Sequence, residues 1–101
     1  MTRSAFEPVH PGRLLRDDVL PALGLNVTKA AKLLGVSRQT LHKIMREDDP
    51  AAVTPDMAAR LGKLCGNGAR LWMNMQVNYW LWHAEQEIDT SGIPTLETKA
   101  A

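Results

Sequence analysis

Arg38, Gln39, His42, Lys43 and Arg46 crowd one short stretch of this chain with side chains that donate hydrogen bonds in fixed directions. Arginine can grip guanine O6 and N7 together, glutamine can pair with adenine N6 and N7, and lysine and arginine also meet phosphate. Their spacing predicts a helix over residues 38–46 with Leu41 and Ile44 turned inward and these five turned outward. Ser37, just ahead of them, is the residue type that caps the first free amides of such a helix. The chemistry implied is the reading of base edges in a major groove.

Such a helix has to be held by another. Ala30, Ala31, Leu33 and Leu34 give an apolar stripe at helical spacing upstream of it. Ala31 offers a small surface on which a second helix can cross closely. Gly35 can take the positive φ that ends the first helix sharply, and Val36 fills the elbow. Together these residues predict a helix-turn-helix over residues 27–46. Between Val27 and Glu47 the local charge is +4, against +1 for the whole chain, while the stretch from His83 onward carries −3. Phosphate affinity follows the local patch, so a nearly neutral chain can still present a cationic face.

At 101 residues, with 45% hydrophobic and 23% charged residues, the chain is expected to be a single globular domain. It shows no long apolar run and no signal-peptide pattern at its start, which points to the cytoplasm and away from a membrane. A first helix uses Leu14, Leu15 and Val19 inward and Arg13, Arg16, Asp17 and Asp18 outward until Pro21 ends or kinks it. Glu47, Asp48, Asp49 and Pro50 form a loop. Thr54 and Pro55 start a fourth helix to about Leu64 that buries Met57, Leu61 and Leu64, and Gly66, Asn67 and Gly68 break it. Cys65 reads as a small buried hydrophobe. No strand pattern is visible, so the fold expected is all-α, a compact five-helix bundle. Residues 1–9 form a loose arm, residues 10–88 the domain, and residues 89–101 a flexible tail.

The last helix, residues 69–88, is apolar on more than one side. Leu71, Trp72, Met75, Tyr79 and Trp82 share one side, whereas Met73, Val77, Trp80, Leu81, Ala84 and Ile88 cover much of the other. A helix at the rim of a small domain buries one side against its own core, so the second side calls for another chain. A homodimer through Val77, Trp80, Leu81, Ala84 and Ile88 would space two recognition helices for adjacent half-sites.

Catalysis finds little support. His10, His42 and His83 make no pair at metal-ligand spacing, and Asp17 with Asp18 and Asp48 with Asp49 are neighbours that diverge or solvate. Cys65 would need His42 brought beside it to act as a nucleophile. Neither a cofactor nor a metal is implied.

Four segments together resemble one family: HPGRLLRDDVLPALGL at residues 10–25, AAKLLGVSRQTLHKI at 30–44, TPDMAARLGKLCG at 54–66 and WMNMQVNYWLW at 72–82. They are similar to the HigA/VapI-type antitoxins of bacterial toxin-antitoxin systems, a branch of the XRE/Cro-like helix-turn-helix proteins. The HPG run and the W-x-N-x-Q run of Trp72, Asn74 and Gln76 are its more specific marks. Arg13 stands where family members commonly carry an acid, and Trp80 where they often carry a polar residue. The resemblance implies a dimeric antitoxin that binds a HigB-like toxin, usually a messenger-RNA-cleaving ribonuclease, and represses their shared operon by binding operator DNA. It implies Arg38, Gln39 and Lys43 as base readers, with Thr28, Ser37 and Thr40 on phosphates; the residues themselves add Lys29, His42 and Arg46 to the donor-rich DNA-facing set. A dimeric repressor without a toxin shares every one of these residues, and a toxin-binding module that has lost DNA binding is a third reading.

Overall fold

The computed structural model describes residues 6–98, and within them the chain forms five helices and no strand. The first, α1, covers residues 11–23 as an α-helical turn, a π-helical segment at Leu15–Val19 and a second α-helical turn at Leu20–Leu23. Then follow α2 (Val27–Leu34), α3 (Arg38–Ile44), α4 (Pro55–Cys65) and α5 (Ala69–Glu87). None of these helices is long and apolar enough to cross a membrane. The first five and last three residues, part of the expected arm and tail, lie outside the described residues.

Short polar residues start the helices where the sequence places them. Asn26, Ser37 and Thr54 accept hydrogen bonds from the amides of Lys29, Thr40 and Met57 at 2.8, 3.0 and 3.2 Å, each satisfying a donor that has no partner inside its helix. Gly35 ends α2 with φ 74°, a conformation that a side chain would strain. Pro21 does not stop α1. The helix widens instead, the Leu20 amide reaching back five residues to the Leu15 carbonyl, and a widened turn lets a helix absorb a proline that would clash in regular geometry.

Leu15, Leu34, Leu41, Ile44, Val53, Met57, Leu61 and Trp72 form the centre of the core. α5 packs against α4 through a turn so tight that a side chain at Gly62 would lie 2.3 Å from the backbone of Gly68. Trp72 is wholly buried, and its indole N–H donates to Asn67 Oδ1 in that turn at 3.1 Å. Several sequence expectations shift here. Leu33, assigned to the core stripe of α2, is 55% exposed, and Leu71, assigned to the inner side of α5, is 43% exposed. Met73, expected on the far side of α5, packs half-buried on the core, as do Leu64 and Cys65, which were expected to be fully buried. Burial still pushes the Cys65 thiol pKa up, which keeps it protonated. Residues 6–9, expected to be loose, are tied to α5 by Glu7, whose carboxylate pairs with the His83 imidazole.

His10 caps α1 through Nδ1, which accepts from the Gly12 amide at 2.9 Å, and its ring stands edge-on to Tyr79. Burial pushes its pKa below the ordinary 6.5; the Ala51 backbone offsets part of this, and His83 adds to the lowering. A neutral ring is also what the cap requires, since a protonated Nδ1 cannot accept. As the pH falls below about 6.5 the unfolded chain takes up this proton before the folded one does. Stability from His10 is therefore complete above that value and lost as the pH drops through the interval to the lower, folded-state pKa. A His10→Asn variant keeps a capping oxygen without the titration. Urea unfolding between pH 7.5 and 5 should show a shallower stability loss for His10→Asn than for the wild type, and parallel losses would remove His10 as the source.

Candidate nucleic-acid interface

α3 has only seven residues, too few to persist by themselves. Its inner side, Leu41 and Ile44, is buried, and Met45 just beyond it is buried too. The outer side carries Arg38 and His42 one turn apart and, beside them, Gln39 and Lys43 one turn apart. All four are exposed, as are Ser37 and Thr40 at the start of the helix. Ser37 donates its hydroxyl proton to Thr40 Oγ1 at 2.9 Å while capping the Thr40 amide. The Thr40 hydroxyl proton is thus the one left to donate outward. Thr28 and Lys29 are exposed in the first turn of α2, where unpaired amides favour an anion.

Arg46 departs from the sequence expectation. α3 ends at Ile44, so Arg46 sits in the following loop and not on the helix. It remains exposed, and it lines a cleft of about 420 Å³ with Glu7, His10, Arg13, Arg16 and Glu47.

The residues that fix α3 in place were mostly missed by sequence reasoning. At its C-terminal end the Lys43 carbonyl accepts from the Ala51 amide at 2.8 Å, and the Met45 carbonyl accepts from Arg16 Nη1 at 2.9 Å. Arg16, expected outward, is only half-exposed for that reason. Its guanidinium also holds the Asp17 carboxyl below the usual carboxylate range. A Cβ at Gly12 would fall 1.8 Å from the Ile44 carbonyl oxygen, so the glycine of the HPG run is what lets α1 lie against the end of α3. Across the turn, Arg60 Nη1 donates to the Leu34 carbonyl at 2.7 Å and ties α4 to the end of α2, while Asp56 holds Arg60 from the preceding turn of its own helix. The two arginine-to-carbonyl links join residues 29 and 26 positions apart, and no local pattern announces them. Gln76 had a signal: it is the polar residue one turn from Trp72 on the inner face of α5.

On α5, Trp72 and Gln76 are buried and Tyr79 and His83 half-buried. Val77, Trp80, Leu81, Ala84 and Ile88 are exposed, with Trp80 at 49% and Leu81 at 56%. Ile88 lies just past the end of the helix in extended backbone. Among the described residues no group of three or more histidine, cysteine or acidic side chains is placed to hold a metal.

Comparisons with known proteins agree with this geometry. Residues 18–47 match the helix-turn-helix family described as bacterial regulatory protein, Fis family. Virulence-associated protein I of Dichelobacter nodosus is 40% identical over 85 residues, covering 84% of this chain and 77% of that protein. The structure of Pseudomonas aeruginosa antitoxin HigA with the higBA promoter is 35% identical with a TM-score of 0.71, covering 83% of this chain and 98% of that one. Antitoxin GraA in complex with its operator aligns over the whole of both chains at 30% identity and a TM-score of 0.79. With the capped α3, the clamp at its end and the shared sequence over most of its length, this chain belongs to the HigA/VapI-type family of helix-turn-helix antitoxins.

Proposed function

We propose that the chain is the antitoxin of a toxin-antitoxin pair, that it represses the operon encoding both, and that it does so as a homodimer on operator DNA. The observation that carries this is the exposed donor face of α3, held rigidly at both ends, on a chain that aligns from end to end with an operator-bound antitoxin. In this reading Arg38, Gln39 and Lys43 contact base edges, and Thr28, Ser37 and Thr40 contact phosphates. Lys29 and Arg46 add to the positive face, and His42 adds a further hydrogen-bonding side chain beside them. Residues 10–88 are the working unit, acting in the cytoplasm beside the DNA. The family is one of regulators and antitoxins and not of enzymes.

Arg38→Ala or Gln39→Ala should cost about 1 to 3 kcal/mol on the specific site and relax base preference there. Lys29→Ala should weaken binding alike on all sequences and lower its salt dependence. Fluorescence titrations over several salt concentrations measure both effects. Unchanged site affinity in an Arg38, Gln39, Lys43 triple alanine variant would sink the assignment.

The homodimer rests on α5. Val77, Leu81 and Ala84 follow one another by four and three residues, the spacing at which two helices pack along a shared seam, with Trp80 at its flank and Ile88 just beyond the helix end. Leu81→Glu should dissociate the dimer, preserve helix content and weaken operator binding, because the half-site contacts no longer reinforce each other. Sedimentation of the wild type as a monomer at micromolar concentration, with full operator affinity, would refute this arrangement.

The toxin partner is supported by the family and by the extra apolar surface of α5. An Arg38, Lys43 double alanine variant should lose repression yet still rescue cells expressing the neighbouring HigB-like toxin. Co-expression growth assays with a pull-down of the neighbouring gene product provide the measurement. Neither association nor rescue by the wild type would leave a dimeric repressor without a toxin.

A further inference from the structure

We infer that Gln76 is a positioning residue for DNA recognition: its buried side chain sets the register between α5 and the base-reading helix α3. The inference rests on the proposed roles of α3 on DNA and of α5 in the dimer. Gln76 is 1% exposed, and its Oε1 accepts from the Val53 amide at 2.7 Å. Val53 is itself wholly buried. Two residues earlier the Ala51 amide donates to the Lys43 carbonyl at the end of α3. The chain from Lys43 is turned back by Asp49, which takes the left-handed conformation with φ 50°. Loop 46–54 is thus fastened at one point to α3 and at another, two residues on, to α5.

A buried amide is more costly than an apolar side chain of the same size unless its hydrogen bonds are made. Apolar packing alone would bury this part of α5, but apolar contact has no direction and tolerates sliding. A hydrogen bond to one backbone N–H allows a single register. The consequence reaches the DNA because α5 is the helix through which two copies pair. Any looseness between α5 and loop 46–54 becomes looseness in the distance between two recognition helices, and that distance has to match the half-site separation.

Gln76→Met removes the acceptor at nearly constant volume. The probe is a synthetic duplex carrying the sequence that the wild type protects upstream of its own gene, with versions one base pair longer or shorter between half-sites and a version with one half-site destroyed. Gln76→Met should bind the intact duplex at least about tenfold more weakly and discriminate less between spacings. Its affinity for the single half-site should change by less than about threefold. A Leu20→Ala variant, truncated in the core on α1, serves as the control for lost stability and should keep the spacing preference. Equal losses on half-site and intact duplex, with spacing preference retained, would overturn the proposal. Hydrogen exchange on the wild type gives a second test that needs no variant: the Ala51 and Val53 amides should be protected as strongly as the centre of α5, and fast exchange at Val53 would also overturn it. If the wild type binds no duplex, the reading of α3 itself falls and the proposal with it, a result distinct from a loss confined to Gln76→Met.

Discussion

The C-terminal carbonyls of α3 are the constraint around which the molecule is arranged. A seven-residue helix leaves more than half of its backbone groups without internal partners and has no length with which to hold an orientation. What it lacks is supplied from three directions: the Ala51 amide from the following loop, the Arg16 guanidinium from α1, and close approach of α1 itself, which the missing side chain of Gly12 permits. The start of the helix is served locally by Ser37. Because these donors come from separate elements, α3 is oriented only when the whole domain is folded. In the proposed reading, a helix that presents four side chains to DNA gains from that dependence.

The same logic extends along α2 and α4. Arg60 does for the end of α2 what Arg16 does for the end of α3, donating to a carbonyl that has no helical partner. Both arginines sit on neighbouring helices and keep part of their surface in water, so their charge is not fully desolvated while the hydrogen bond is made. Each of the two helices of the motif is therefore capped by a short polar side chain at its start and tied down by a long cationic one at its end. The inner faces of α2 and α3 place Ala30, Ala31, Leu34, Leu41 and Ile44 in the core, and the end contacts add direction to that burial.

α5 has a different task. Only a narrow stripe, with Trp72 and Gln76 at its centre, faces the core, and apolar side chains are distributed around most of the remaining circumference. This explains why the sequence of the helix shows no single apolar face. The cationic residues of the motif and the acidic residues Glu85, Glu87 and Asp89 lie in separate parts of the chain. His10, Tyr79 and His83 link the start of α1 to this helix through ring contacts, which places a neutral, buried histidine at the junction of α1, α5 and loop 46–54.

How much of this was legible from residues alone depends on the range of the interaction. The helices, their capping residues Ser37 and Thr54, the left-handed Gly35 and the outward face of α3 follow from neighbours within a turn or two, and there the sequence determined the outcome. Where sequence patterns misled, tertiary packing intervened. Leu33 and Leu71 have the spacing of core residues but lie beyond the reach of the helices that would cover them. α3 stops at Ile44 because Ala51 takes the Lys43 carbonyl, and Pro21 is absorbed because α1 can widen. The roles of Arg16, Arg60 and Gln76 could not be read from their own surroundings, since their partners lie 29, 26 and 23 residues away. Sequence periodicity records which way a side chain points on its own helix, and only the folded chain brings the carbonyl or amide that it meets.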